Sequence, residues 1–379
     1  MLSLVLILRT FALAAKLHAA EAEVAFMSDF NYPSTGFHHI TVCSGSAQAD
    51  IDFFTQVLGQ RLIKQTILFD GRFAHYHLYY ANAKIDPGTV MTSFPYNRVP
   101  GRPGAGQVSS TSYSVAKGAL PFWVEHLDRH AVEHSGIQER FGRKFINMKH
   151  PAGLGFEVME DNRDTRQGWN AGDVPAEASA VGFNTSTFSV REVDEEERFL
   201  IEGLGFRKVG QDGCYHRYEI GAGGPGAQVD LLHEPQRASG SWIFGAGTVH
   251  HVAFNVADDS ALAEQKGYYE ELGYTDVSEI KDRNYFHSIY VRSPGGVLLE
   301  CAATAEGAFA KDEAFSQLGQ HLLLPPWFES RRAEILNMLE PIQVPEWHPA
   351  VTVGVRGTAP SKRVDATFLK EESEVFMKR

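Results

Sequence analysis

Four times along the chain, a short strand-like apolar run is followed by a helical stretch with apolar residues on one face and then by more strand-like runs. The first unit opens at Gly36-Phe37-His38-His39-Ile40-Thr41-Val42, whose β-branched and aromatic content reads as a strand. Ile51, Phe54 and Leu58 then fall at i, i+3 and i+7 of a helix that Gly59 is placed to stop. Residues 61–68 and 75–80 are β-type, Pro87-Gly88 marks a turn, and 90–94 closes the unit as a strand. The same order returns late in the chain. It runs from a strand over 249–254 to a helix carrying Leu262, Tyr269 and Leu272 that stops at Gly273. A strand over 286–291, a turn at Pro294-Gly295-Gly296 and a strand over 297–301 follow.

Two weaker copies lie between. One opens at Val108-Ser109-Ser110-Thr111, has a helix over 122–127 and ends over 151–159. The other opens at Gly182-Phe183-Asn184-Thr185, has a helix over 199–204 stopping at Gly205, and closes over 229–232. Self-similarity at this spacing outweighs chance placement of turns in an ordinary α+β protein. The prediction is an α+β fold of four tandem βαβββ modules. One helix is expected over 331–339, in a tail read as a cap or a disordered end without chemistry.

Composition narrows the classes. The 379 residues are 43% hydrophobic and 22% charged, values of a globular chain. A net charge of -12 repels phosphate backbones and excludes nucleic acid as an expected partner. Cys43, Cys214 and Cys301 form no CxxC pair, so a disulfide framework is not expected and a reducing compartment fits. Residues 2–15 are mostly apolar, as in a signal peptide, but Arg9 interrupts them and no basic residue precedes it. That run is short for a membrane span, and Met27-Ser28-Asp29 would serve as an alternative start. The expectation is a cytoplasmic protein, not a membrane one, with a targeting segment left open. Self-assembly into a homo-oligomer also stays open.

Chemistry enters when the modules are compared at matched positions. The first strand carries His38-His39 in module one and His250-His251 in module four, where modules two and three have Ser, Thr or Asn. Six residues beyond the turn proline stand Glu300 in module four and Glu157 in module two, but Ser93 in module one and Leu231 in module three. Strand side chains alternate, so one histidine of each pair points into a given cup. Two imidazoles and one carboxylate make the facial triad of non-haem Fe(II) oxygenases, with coordination positions left open for substrate and O2. This distribution predicts that modules one and four share the metal-bearing cup and that two and three form the other. Glu157, without a histidine beside it, is read as a structural or vestigial carboxylate. His126, His130, His134 and His150 are read as surface or local structure.

The runs HHITVCSGSAQADIDFF (38–54), PGTVMTSFP (87–95), DLLHEP (230–235), GTVHHVAF (247–254) and YVRSPGGVLLE (290–300) resemble the vicinal-oxygen-chelate superfamily, and within it the hydroquinone-type ring-cleaving dioxygenases. The resemblance spans about residues 37–341. It implies two vicinal-oxygen-chelate domains, 36–165 (modules one and two) and 180–305 (modules three and four), between an extension at 1–35 and a helix and tail at 306–379. It implies His39, His251 and Glu300 as ligands of Fe(II), with Mn(II) as the alternative. His38 and His250 would stand behind the ligands, and Thr41, Arg283 and Tyr290 near a small aromatic diol. Where that family often has Glu, this chain has His287, which bears on substrate detail rather than on the metal. Extradiol cleavage of a catechol is the neighbouring activity. A glyoxalase-like lyase or isomerase would call for another ligand where Ser93 stands, and a sequestering protein would lack the triad.

Overall fold

The computed structural model describes residues 31–69, 71–96, 99–170, 172–241 and 243–344. The apolar N-terminal run, the Met27 start and the charged end of the tail lie outside them. All four expected modules form. Module one comprises β1 (Phe37–Ser44), α1 (Ala47–Asp52) extended by a π-helical turn (Phe53–Val57), β2 (Arg61–Phe69), β3 (Ala74–Ala81) and β4 (Val90–Pro95). Module two comprises β5 (Gln107–Val115), α2 (Leu120–Arg129), β6 (His134–Arg140), β7 (Arg143–Lys149) and β8 (Gly155–Glu160). Module three comprises β9 (Phe183–Val190), α3 (Asp194–Arg198) with a second π-helical turn (Phe199–Gly203), β10 (Arg207–Asp212), β11 (Tyr215–Glu219) and β12 (Gln228–His233). Module four comprises β13 (Thr248–Val256), α4 (Asp259–Glu271), β14 (Lys281–Asp282), β15 (Phe286–Arg292) and β16 (Leu298–Thr304). A last helix, α5 (Arg332–Met338), lies in the expected 331–339 window. No helix among the described residues is long and apolar enough to cross a membrane.

The modules assemble out of sequence order. One mixed eight-stranded sheet runs β14-β15-β16-β13-β1-β4-β3-β2, joining modules four and one. The other runs β10-β11-β12-β9-β5-β8-β7-β6, joining three and two. This is the pairing expected from where the ligands fall. Antiparallel contact between first strands, β1 with β13 and β5 with β9, seals each sheet at its centre. Phe37, Phe183 and Phe254 pack where the two sheets meet, with ring centroids 6.1 and 5.6 Å from Phe37. Burial of such aromatic area is the main drive for docking the modules.

Ladder register makes the two cups comparable residue by residue. Ala253 pairs with Glu300 in the first, and Ser112 with Glu157 in the second, so Glu157 is the counterpart of Glu300. By the same register Ser110 and Thr185 stand where His251 and His39 do. Without histidines, Glu157 takes a different partner. Arg140 donates to both its oxygens (3.2 and 2.7 Å) and lies 3.4 Å from Asp230, which Arg217 also clamps at 2.7 and 2.8 Å. The Arg140 guanidinium is held between Phe145 and Tyr215, 4.6 Å from each ring. Two cations and two carboxylates thus neutralise one another in the second cup. The structural reading of Glu157 is correct, with Arg140 as its reason.

Arg140→Met should cost about 3–5 kcal/mol of stability by leaving buried carboxylates uncompensated, and Arg140→Met with Glu157→Leu should recover most of that loss. Urea denaturation checks both; an Arg140→Met protein as stable as the wild type would mean that the network carries no such charge debt.

Candidate metal centre

β1 and β13 lie side by side in the first sheet, and alternation turns His39 and Thr41 of one strand and His251 of the other into the cup. β16 runs beside β13 and brings Glu300 to the same point. His39 Nε2 and His251 Nε2 are 3.0 Å apart, and Glu300 Oε2 lies 2.8 Å from His251 and 3.5 Å from His39. All three side chains are buried, and their nearest donor atoms fall within 4.8 Å of one another. Neither oxygen of Glu300 accepts a hydrogen bond of good geometry. Burial by itself would raise the Glu300 carboxyl, but whenever His39 and His251 beside it are protonated their charge outweighs that and holds it well below the usual carboxylate range. A buried carboxylate facing two ring nitrogens, with no Lys or Arg on it, is a set of lone pairs that fits a divalent cation.

The paired histidines orient the ligands. His38 Nδ1 is 2.8 Å from His39 Nδ1, and His250 Nδ1 is 2.8 Å from His251 Nδ1. With His39 and His251 each carrying the proton on Nδ1, both donate to the neighbour and turn Nε2 inward, the usual outer support of a metal-binding histidine. His38 Nε2 then donates to Thr304 Oγ1 at 3.0 Å. Burial first, and then the adjacent ligand histidine, lower His38 to about 3 and His250 well below the usual value, so both are neutral acceptors. His250 is further stacked on Phe244, 3.6 Å between ring centres.

The centre opens on a cavity of about 200 Å³ lined by His39, His251, Thr41, Tyr290, Arg283 and a shell of aromatic rings. Tyr290 pairs across the hairpin with Glu300 and accepts from Arg283 Nε at 3.2 Å and Ser288 Oγ at 3.1 Å. Burial keeps its phenol protonated well above the ordinary range, against the opposing pull of Arg283. Thr41 Oγ1 is 2.8 Å from His251 Nε2 and 2.7 Å from Thr92 Oγ1. His287 lies on the other face of β15, against Asp259 at 2.8 Å, so its departure from the family's Glu falls outside the cavity.

Three corrections follow. The module-one residue that reaches this centre is Thr92; Ser93 faces away and bonds Ser44 at 2.7 Å. Likewise Asp230, not Leu231, is the module-three counterpart. The reason is the turn. In modules two and four the left-handed glycine is the second residue after the proline (Gly153, φ +90°; Gly296, φ +107°), and in modules one and three it is the first (Gly88, φ +71°; Gly226, φ +82°). Counted from the proline the modules disagree; counted four on from that glycine, Thr92, Glu157, Asp230 and Glu300 align. Second, His126 and His150 are not surface residues. Both are buried; His126 bonds the carbonyl of Val57 at 3.0 Å, and His150 lies 3.3 Å from Asp50, tying module two to α1. Third, the segment after module four, expected as a cap or a disordered end without chemistry, borders the site itself: Pro325, Trp327 and Phe328 line the cavity.

Residues missed in the sequence include His77 and Tyr79 on β3, which also line the cavity. Tyr79 pairs with Thr92 as Tyr290 pairs with Glu300, so repeat-matching of third strands was the signal available for it. His77 bonds Thr92 Oγ1 and Tyr79 Oη, each at 3.1 Å.

A profile of the Glyoxalase/Bleomycin resistance protein/Dioxygenase superfamily matches residues 36–301. The chain is 41% identical over 314 residues to the chlorohydroquinone/hydroquinone 1,2-dioxygenase of Sphingobium indicum, covering 82% of this chain and 97% of that one. A crystal structure of a Bacillus subtilis protein classed by name as a dioxygenase superposes with a TM-score of 0.76 at 36% identity, over 83% of this chain and 99% of that one. Glyoxalase I of Zea mays shares the fold at 13% identity, with a TM-score of 0.53 over 76% and 97% of the two chains.

His250→Ala removes the acceptor behind His251 and should weaken Fe(II) or Co(II) binding about 10- to 100-fold. Glu300→Ala should bring bound metal near zero. Equilibrium dialysis with metal analysis reads both; undiminished loading of Glu300→Ala would remove the carboxylate from the centre.

Proposed function

The chain belongs to the glyoxalase/bleomycin resistance protein/dioxygenase superfamily, and from that premise we propose that it is an Fe(II)-dependent dioxygenase opening the ring of hydroquinone-type diols, chlorinated ones included. One observation carries the reading. His39 and His251, with Glu300 buried against both, form the floor of an aromatic-lined cavity of about 200 Å³. A dry cavity of about 150 Å³ suffices for benzene, so this one matches a single substituted ring.

His39, His251 and Glu300 would hold Fe(II), or Mn(II) on the same donors, which supplies open coordination positions and a path for electrons between diol and O2. A para-diol offers only one hydroxyl to such a centre, so the protein must position the rest of the ring. Tyr79, Phe94, Tyr285 and Phe286 wall the cavity for that purpose. Tyr290, with Arg283 and Ser288 already donating to its oxygen, directs its own proton as a donor toward substrate oxygen. The Arg283 cation stabilises negative charge that develops beside it. Thr41 holds the substrate hydroxyl at the edge of the triad, and His38 and His250 fix the ligand rings. Thr92, a hydroxyl where a lyase of this fold would want a further ligand, favours oxygenase over glyoxalase chemistry. Cys43, Cys214 and Cys301 form no disulfide, which suits the reducing cytoplasm, where we place the reaction. We also propose that 36–165 and 180–305 are copies of one two-module unit, because the π-helical turns and the early glycines recur in modules one and three alone.

Anaerobically Fe(II)-loaded protein should consume one O2 per hydroquinone or chlorohydroquinone, and much less with catechol, in an oxygen-electrode assay. Glu300→Ala should abolish uptake, and Tyr290→Phe should cut kcat about 10²-fold, the usual loss for one oxyanion donor. Preference for catechol would shift the reading to extradiol cleavage, and a metal-loaded protein that takes up no O2 with any diol would end it.

A further inference from the structure

The chain leaves β16 inside the first sheet and then crosses the mouth of the cup to the opposite edge. Ala305 N donates to Tyr285 O at 3.0 Å, and Tyr285 Oη donates to Asp312 at 2.9 Å, both on the module-four side. On the far edge strand, β2, the fully buried Lys64 donates to Asp312 and Glu313 at 2.8 and 3.2 Å. Gln65 of the same strand binds Gly319 O at 2.7 Å and accepts from Leu323 N at 3.0 Å. Beyond the crossing, Glu340 O accepts from Tyr76 Oη at 3.0 Å, and the Glu340 carboxylate accepts from Ser46 Oγ at 3.3 Å and from Ala47 N. Buried ion pairs and backbone bonds therefore fix this strap on both sides of the three residues it sets over the cavity, Pro325, Trp327 and Phe328.

We propose that Trp327, with Phe328 beside it, is the specificity-determining wall that reads the substituents of the substrate ring. This rests on the diol reading above but is independent of which bond is cleaved. Trp327 lines the cavity yet stays 53% exposed, whereas most of the other residues lining it are buried. A ring entering the cavity would cover that face and gain both apolar burial and aromatic contact. The rest of the cavity belongs to β-strands and the β14–β15 connection, so the strap is the one wall contributed from outside the repeated modules. Because its anchors are rigid, Trp327 acts by shape: it sets the clearance for a ring substituent rather than following it.

The test pairs binding with turnover in Trp327→Ala and Trp327→Phe, changes at a half-exposed position that leave the core intact. Anaerobic fluorescence titration of Zn(II)-loaded protein with hydroquinone and chlorohydroquinone gives affinity; oxygen uptake by the Fe(II) form gives KM and kcat. Trp327→Ala should weaken binding of both diols and change their affinity ratio about tenfold, the scale of one apolar group in a pocket. KM should move more than kcat, metal content should be unaltered, and Trp327→Phe should restore part of the ratio. An unchanged ratio and KM in Trp327→Ala overturns the proposal, as does a wild-type protein that binds neither diol. Diol binding that depends on Trp327 without O2 uptake would overturn the dioxygenase reading and leave this inference standing.

Discussion

A carboxylate buried in a β-sheet must meet positive charge, and the two cups of this protein meet that demand in opposite ways. Glu157 and Glu300 occupy equivalent ladder positions and are both nearly inaccessible. In the second cup an arginine supplies the charge. Arg140 pairs with Arg143 as Arg283 bonds Phe286, so the corresponding arginine exists in the first cup as well. There it is bonded to Tyr290. What stands against Glu300 instead is a pair of imidazoles, whose inward nitrogens add lone pairs rather than remove charge. The second cup is thus an internal control for the first. The same fold without histidines satisfies its carboxylate with protein; with histidines it presents a set of donors that asks for a cation from outside.

That contrast makes the out-of-order assembly of modules functionally necessary. The two histidines lie 212 positions apart and reach bonding distance only because β1 and β13 are adjacent. Had consecutive modules shared a sheet, each cup would have held one histidine pair, and Glu300 would have faced a single imidazole of its own module. The central antiparallel contact therefore does the work of building the triad. Tyr290 and Thr41 are placed by the same ladders at no further cost.

Much of this was legible in the chain because repeats carry their own alignment. Matching strand to strand brought out the two histidine pairs and Glu300, the family resemblance picked His39 and His251 out of those pairs, and the pairing of modules one with four followed from asking which modules held ligands. The reading slipped where the repeat is not strictly regular. Proline is a visible mark in the turn, but register is set by the residue that takes the left-handed conformation, and Gly88 and Gly226 do so one position earlier than Gly153 and Gly296. Hence Thr92 and Asp230 were each missed by a single residue. His150 and His126 were misread for another reason: their partners, Asp50 and the Val57 carbonyl, belong to a different module, and local polarity says nothing about contacts across modules.

The strap was illegible on more basic grounds. Residues 305–344 have no counterpart in any module, so no internal comparison applies, and 3₁₀ turns leave no hydrophobic period to read. Their position is dictated by single long-range pairs such as Lys64 with Asp312 and Glu313. A lysine inside a β-strand run looks in sequence like an exposed edge residue; its full burial is intelligible only once two carboxylates from beyond the last module are seen to cover it. The charge logic that governs the cups recurs here. Where the repeated scaffold leaves a buried charge unmatched, something outside that scaffold completes it: a cation at Glu300, and the strap at Lys64.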